Sequence, residues 1–459
     1  MNRDTHQDVD RAYENALDTL YGYINLEQKA IDRYQASKMD TDRPQRLLEM
    51  LNNPHQQYPT VHIAGTKGKG SVAAMCSAVL AASGKRVGLY TSPHLRDFRE
   101  RIRVVSSVDP DGHISKGDFI TLMDEVERQL DAVPGVTWFE IVTAVAFRYF
   151  AKVKVDIAVI EVGLGGRLDA TNVLEPLVSV ISNLSLDHTY LLGNTLKQIA
   201  TEKGGIIKPG IPVVTAPQAE EALARLKEIA GDCGSPISVI GRDWQFTGVS
   251  QKLVITRSAD EAFIPNHTPF DLALAGEHQL ENATVALVTL YSIRKHVPGI
   301  TLQAMREGLA GVTWDGRLQI VYKGNKKPTL LVDSAHNEDS AIKLKAALSD
   351  VYNYKRLWLI FGAPGDKAVA QMMAVLFPMA YRVFLAAADH PRAASTTYLA
   401  EMASSLGFET TLCESAGQAL IKVFELAKQG DLICVTGSII FVGDLLNHWD
   451  GLKSRLITL

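Results

Sequence analysis

The sequence predicts an α/β protein of two domains, each a mostly parallel sheet flanked by helices. Three observations carry that prediction. Residues 62–75 run from a short apolar stretch through alternating glycines into a helical pattern. Strand-like apolar runs then alternate with helical segments, the signature of parallel strands joined by crossover helices. After a Pro-Gly break at residues 296–301 the same alternation starts again.

Composition agrees with two cores. At 459 residues the chain exceeds what one ordinary core holds, and 46% hydrophobic with 21% charged residues is a globular balance. A net charge of -4 with scattered Lys and Arg leaves no broad footprint for nucleic acid. Cys76, Cys233, Cys413 and Cys434 form no C-x-x-C pair, so neither a disulfide framework nor a zinc site is expected. The polar N-terminal stretch lacks the apolar core of a signal peptide, and no apolar run reaches membrane-spanning length. A cytoplasmic monomer with neither nucleic-acid nor membrane partners is expected.

In chain order, residues up to about 53 read as helical, with Tyr21, Tyr23, Ile24 and Leu26 before a polar segment and Leu47, Leu48 and Leu51 on one face. Thr60, Val61 and Ile63 then favour an extended chain, and Gly65, Gly68 and Gly70 allow a tight turn. Ser71 is placed to cap the helix that Val72, Met75, Val79 and Leu80 would pack. Such a loop aims backbone N–H groups and a helix dipole at one spot, as a polyphosphate requires, and Lys69 adds a point charge. This predicts a P-loop ATPase-like first domain. The match is imperfect, because Gly70 separates Lys69 from Ser71, and a glycine-rich turn without a ligand would look similar.

Residues 86–95 predict a second strand closing in a Ser-Pro turn, which puts Ser92 and His94 at a strand's carboxyl edge, where ligands of parallel sheets bind. Arg99, Arg101 and Arg103 alternate with Glu100, Ile102 and Val104 as a basic strand or extended loop, or simply as solvated charges. Residues 137–150 predict an apolar helix carrying Glu140 near its start. Residues 155–172 predict a buried strand ending in Glu161 and a glycine turn with Arg167, Asp169 and Asn172. An acid at a strand tip beside a phosphate loop suits magnesium. The next strand, from Val178, is expected to end in Asp187 and His188, before a helix with Glu202 and Lys203.

Residues 235–275 are turn-rich and strand-like and predict a small antiparallel appendage. A helix with Asn282 near its start follows. The break at 296–301 sets the expected domains at 1–297 and 298–459. Strands at 330–333 and 357–362, a helix from Asp339, another after Asp366, and further alternation predict a smaller Rossmann-like second domain without a phosphate loop of its own.

Taken together, GTKGKGS, TSPHL, EVGLGGRLDATN, SLDH, EKGGIIK, GEHQLENA, WDGRLQ and DSAHNEDS resemble the folylpolyglutamate synthase and dihydrofolate synthase family of the Mur ligase superfamily. The likeness runs from about Tyr58 to the end. Departures are Lys67, Asp315 and Ser334, where the family often has Asn, Pro and Gly. The resemblance implies ATP held by Gly68, Lys69, Gly70 and Ser71, with Asn282 near adenine and with Arg317, Asp333 and His336 reaching in from the second domain. It implies magnesium, two ions, on Ser92, Glu161, His188 and Lys203, the lysine as a carbamate. An unmodified Lys203 paired with Glu202 or another acid is the plain alternative. For a pterin it implies the loop from Ser92 to Arg101, the segment around Phe139 and Glu140, and Leu168, Asp169 and Ala170. Phe139 as core and Asp169 as a turn cap are the alternatives. Lys69, His336 and Lys203 would be catalytic.

The implied activity is ATP-dependent addition of L-glutamate to folates, to dihydropteroate, or to both, through an acyl phosphate. A Mur-type ligase for a different carboxylate is one rival. A nucleotide-binding switch is another, against which stands the lack of an N-K-x-D guanine motif.

Overall fold

A computed structural model describes residues 3–23, 42–324, 326–365 and 369–458. Ile24, Leu26 and Asp366 lie outside the described residues. The first sheet contains β1 (Thr60–Ala64), β2 (Val87–Tyr90), β3 (Ile102–Val105), β4 (Ile157–Glu161), β5 (Val178–Ile181), β6 (Val213–Thr215) and β7 (Ile237–Val239). Its order is β3-β2-β4-β1-β5-β6-β7, parallel except for the β3 edge. Both β1 and β4 are buried along their whole length, as strands covered by helices on both faces must be, which is why they read as continuous apolar runs. On one face lies a core built on helix Lys69–Ala82 and helix Glu277–Ile293, and on the other a core built on helix Trp138–Val153.

A three-stranded antiparallel sheet, β8 (Gln245–Val249), β9 (Lys252–Arg257) and β10 (Thr268–Asp271), forms the expected appendage. It starts later than expected, since β7 pairs parallel with β6 and closes the main sheet.

The second sheet holds β11 (Gln319–Tyr322), β12 (Thr329–Val332), β13 (Leu357–Phe361), β14 (Arg382–Leu385), β15 (Thr411–Leu412) and β16 (Leu432–Thr436) in the order β11-β12-β16-β13-β14-β15. All neighbours are parallel except β11 with β12.

The expected boundary at 297/298 falls inside the first domain. Helix Leu302–Gly311 packs on helix Lys69–Ala82, and Ile300, Met305, Leu309 and Val312 belong to the same core as β1. The second domain's core takes over at Leu318. A Pro-Gly pair marked only a turn between two helices of one core.

A second correction concerns β5, which ends at Ile181 instead of reaching Asp187 and His188. The chain turns through six further residues, held by Asn183, whose carbonyl accepts from both the Thr66 and Lys67 amides. His188 then starts a short helix, Thr189–Leu192, in a left-handed conformation (φ 49).

Candidate active site

The glycine loop behaves as a helix-start anion site should. Gly68, not Ser71, is the N-cap of helix Lys69–Ala82, with φ 87, a conformation that L side chains avoid. A β-carbon there would also collide with the Asn282 side chain. Ser71 lies inside the first turn, buried, with its hydroxyl 3.4 Å from Gln279 Nε2. Gln279 in turn accepts from Asn282 Nδ2 at 2.9 Å. Asn282 and Gln279, one turn apart on a single helix, therefore brace the loop from beneath. Gln279 escaped the sequence reading, although its spacing from Asn282 is the i, i+3 signal of one helix face.

Beyond the loop opens a cleft lined by Gly65, Thr66, Lys69, Val162, Gly163, Leu164, Gly165, Asp187, His188, Leu192 and Lys203. It lies at the carboxyl ends of β1 and β4, where a parallel sheet offers its ligand site. Lys69 Nζ stands 3.8 Å from Glu161 Oε1, while Glu161 Oε2 accepts the Ser92 amide at 3.0 Å. Burial pushes the Glu161 carboxyl above the usual range, only partly offset by Lys69, the Ser92 amide and Arg317. A charged Glu161 thus has electrostatic room for a further cation.

Lys203 is buried, and burial first, then Lys69, pulls its pKa down to about 7. Among the described residues it has no carboxylate within ion-pair distance. Glu202, the partner expected for a plain lysine, instead pairs with Arg167 at 3.0 Å. Lys67 reaches Asp187 Oδ2 at 3.0 Å, an ion pair that no spacing along the chain announces.

The expected magnesium ligands are thus partly assembled. Ser92 and Glu161 are adjacent, and His188 and Lys203 line the cleft with Lys69. His188 is the outlying member, about 40% exposed, with its ring against Tyr190. Among the described residues no three His, Cys, Asp or Glu side chains converge as a metal cluster. The Glu161 carboxylate and the Ser92 hydroxyl are oxygen donors of the kind a hard cation takes, and a carbamate on Lys203 would add another.

The arginine run is not solvated. Arg101 is buried, lies over the Trp138 ring at 5.0 Å and donates from Nε to His94 Nδ1 at 2.8 Å. Arg103 donates to the Asp111 and Pro110 carbonyls. Arg101 closes the short 3-10 helix Phe98–Arg101 and Arg103 lies on the edge strand β3, so the one is held by a ring nitrogen and the other by carbonyls.

Of the expected pterin residues, Phe139 brings the tip of its ring against Gly163, where any β-carbon would strike it, and Asp169 is buried. Asp169 accepts from the Leu164 and Thr171 amides and the Thr171 hydroxyl, which also meets His62 Nε2 at 2.8 Å. It caps the turn Ala170–Val173, so the turn-cap alternative describes its bonding. Leu168 is half-buried and Ala170 buried beside it. Glu140 is likewise occupied, as the capping-box acid of Thr137 and the partner of Arg43.

From the second domain, Arg317 bears electrostatically on both Glu161 and Asp333. Asp333 accepts from the Leu318 and Ala335 amides at 2.9 Å each. His336 Nδ1 donates to the Ser334 carbonyl at 3.0 Å. The domains meet where Leu95 packs into the second core and Arg96 donates to Asn447 at 3.2 Å.

Residues 135–290 match the Mur ligase middle domain, and residues 316–439 match the Mur ligase glutamate ligase domain. The Bacillus subtilis (strain 168) dihydrofolate synthase/folylpolyglutamate synthase is 32% identical over 456 residues, covering 95% of this chain and 98% of that protein. The chain belongs to the folylpolyglutamate synthase/dihydrofolate synthase family. The Thermotoga maritima folylpolyglutamate synthase superposes with a TM-score of 0.80 at 34% identity, covering 96% of this chain and 97% of the other. Escherichia coli FolC, in complex with DHPP and ADP, gives 0.81 at 27% identity over 95% and 98%. The two family domains match on either side of the sequence break, and the interval between them, 291–315, holds the helix that returns to the first core.

Proposed function

We propose that the chain is an ATP-dependent ligase that joins L-glutamate to the carboxylate of a reduced folate or of dihydropteroate. The family is ligase chemistry throughout, which sets aside the nucleotide switch. One observation carries the assignment of the site. Lys69 and Lys203 line one cleft at the ends of β1 and β4, Glu161 stands 3.8 Å from Lys69, and Arg317 of the second domain bears on the same Glu161.

A carboxylate does not condense with an amine unaided, because its leaving group is poor. In the proposed reaction the acid's carboxylate attacks the γ-phosphate of ATP, giving an acyl phosphate and ADP. The glutamate amine then displaces phosphate and leaves an amide. Both steps concentrate negative charge, so fixed cations at the transferring group do the catalytic work. Lys69 and the loop amides from Gly68 to Ser71 would hold the phosphates, with Asn282 supporting the nucleotide. Arg317 and His336 would approach from the second domain and Asp333 would orient the ribose. The substrate supplies the nucleophile, so no protein nucleophile is assigned.

The reaction would draw on magnesium for positive charge against the phosphates. Glu161 and Ser92 would hold it together with His188 and a carbamylated Lys203. Two features support the carbamate: the buried lysine has no acidic partner among the described residues, and a pKa near 7 leaves free amine to add CO2. Phe139 would supply an apolar face to the pterin, with Leu168, Asp169 and Ala170 shaping the opposite wall. The reading includes a monomeric enzyme acting in the cytoplasm.

A substrate panel with ATP and magnesium tests the proposal: dihydropteroate, tetrahydrofolate and its monoglutamate, and peptidoglycan precursors. Phosphate release should require both a pterin acid and glutamate, with a new amide seen by mass spectrometry. Turnover of peptidoglycan precursors alone, or hydrolysis with no acid present and no amide formed, sinks it.

A further inference from the structure

Glu140 was expected beside the pterin, yet both its oxygens are spoken for. Arg43 Nε lies 3.1 Å from Oε1 and from Oε2, and Nη2 lies 3.1 Å from Oε1. Oε2 also accepts the Thr137 amide at 2.6 Å, which closes the capping box of helix Trp138–Val153. The pair is largely shielded, with side chains 12% and 9% exposed. A planar guanidinium gripping a buried carboxylate at more than one point fixes orientation as well as distance, which a lysine would not do.

What that grip orients is the next residue. Phe139 sits in the first turn of the helix, and its ring covers Gly163, which lines the cleft with Lys69 and Lys203. Arg43 belongs to helix Asp42–Met50, which packs against helix Trp138–Val153 and also against the turn Ala170–Val173. One short helix therefore touches two of the segments that would wall the pterin.

We infer that Arg43 is a positioning residue for the acid substrate: through Glu140 it sets the Phe139 face, and so governs binding of the pterin acid independently of ATP. The inference rests on the functional reading above and deepens it. Helix Asp42–Met50 lies outside the matched middle domain, which begins at residue 135.

The test uses the full chain and the variants Arg43→Ala, Arg43→Lys and Glu140→Gln. Calorimetric titration of dihydropteroate and tetrahydrofolate in the presence of ADP gives acid affinity, and steady-state kinetics give KM for each substrate. Arg43→Ala should weaken acid affinity and raise its KM by about tenfold, with KM for ATP within about twofold of the parent, because displacing a positioning surface by even 1 Å is costly to the ligand it orients. Arg43→Lys and Glu140→Gln should shift the same values in the same direction by less, and their double variant should fall short of the summed effects. If Arg43→Ala does not fold, Arg43→Lys decides by the same criteria. Unchanged acid affinity, or an equal rise in KM for ATP, overturns the inference. A parent protein that binds neither acid overturns the functional reading, and this inference with it.

Discussion

The two sheets of this molecule share a parallel architecture, yet their carboxyl edges are built in opposite ways. At the ends of β1 and β4, Lys69 faces Glu161 at 3.8 Å, too far for a hydrogen bond, and Lys203 lies buried beside them without an acidic partner among the described residues. At the ends of β12, β13 and β16 the acid is spent on the protein itself, and only the neutral Ser334 and Thr436 hydroxyls lack a partner among the described residues. Asp333 takes two backbone amides, and Ser438 bridges the Phe441 amide and the Gly362 carbonyl. A charge left loosely partnered in a buried cleft costs stability, so its persistence marks the edge that a ligand completes. The second edge is a frame that carries Arg317 to the first.

That contrast can be broken most sharply at the first edge. Lys69→Ala and Glu161→Ala should each lower turnover by at least ~1000-fold, the scale of losing a charge-stabilising group, while the thermal melt stays cooperative. Near-normal turnover in either would remove that residue from the mechanism. At the second edge, Asp333→Asn should act first on the frame. It leaves one backbone amide without its acceptor, at a cost of about 1–3 kcal/mol in stability, and raises KM for ATP by only about tenfold. A loss as deep as that of Lys69→Ala would show that the two edges are equally chemical.

The smallest expected effect lies away from both edges. His55 is buried against Phe147, and among the described residues neither ring nitrogen has a hydrogen-bond partner. Burial lowers its pKa to about 4. The unfolded chain therefore binds the extra proton between about pH 6.5 and pH 4, and stability falls as pH drops through that window. His55→Phe should flatten this part of the stability profile, by on the order of 1–3 kcal/mol at its lower end, and leave turnover at neutral pH as it was. An unaltered pH profile of unfolding would locate the acid sensitivity elsewhere, with His62 the next candidate.

What the sequence revealed follows the same division. Glu161 was legible because an acid closing an apolar run has one place to be, the strand tip. His188 was not, since β5 ends early and the register of a turn held by Asn183 leaves no periodic trace. Arg101 and Arg103 were hidden because a charged alternation reads as solvated until partners distant in the chain, such as Trp138, are known. Glu140 could have been read correctly, as Thr137 three residues before it spells a capping box. The domain seam was misplaced because a Pro-Gly turn says where a helix stops and nothing about which core the next helix joins.

One contact between the domains ties their movements to the chemistry. Leu95 lies three residues beyond Ser92, packs into the second core, and has its carbonyl so close to Gly443 of helix Ile439–Thr458 that no side chain fits between them. The loop from Ser92 to Arg96 is thus a linkage with one end pinned to each domain. A rotation of the second domain would therefore be felt at the amide that Glu161 accepts.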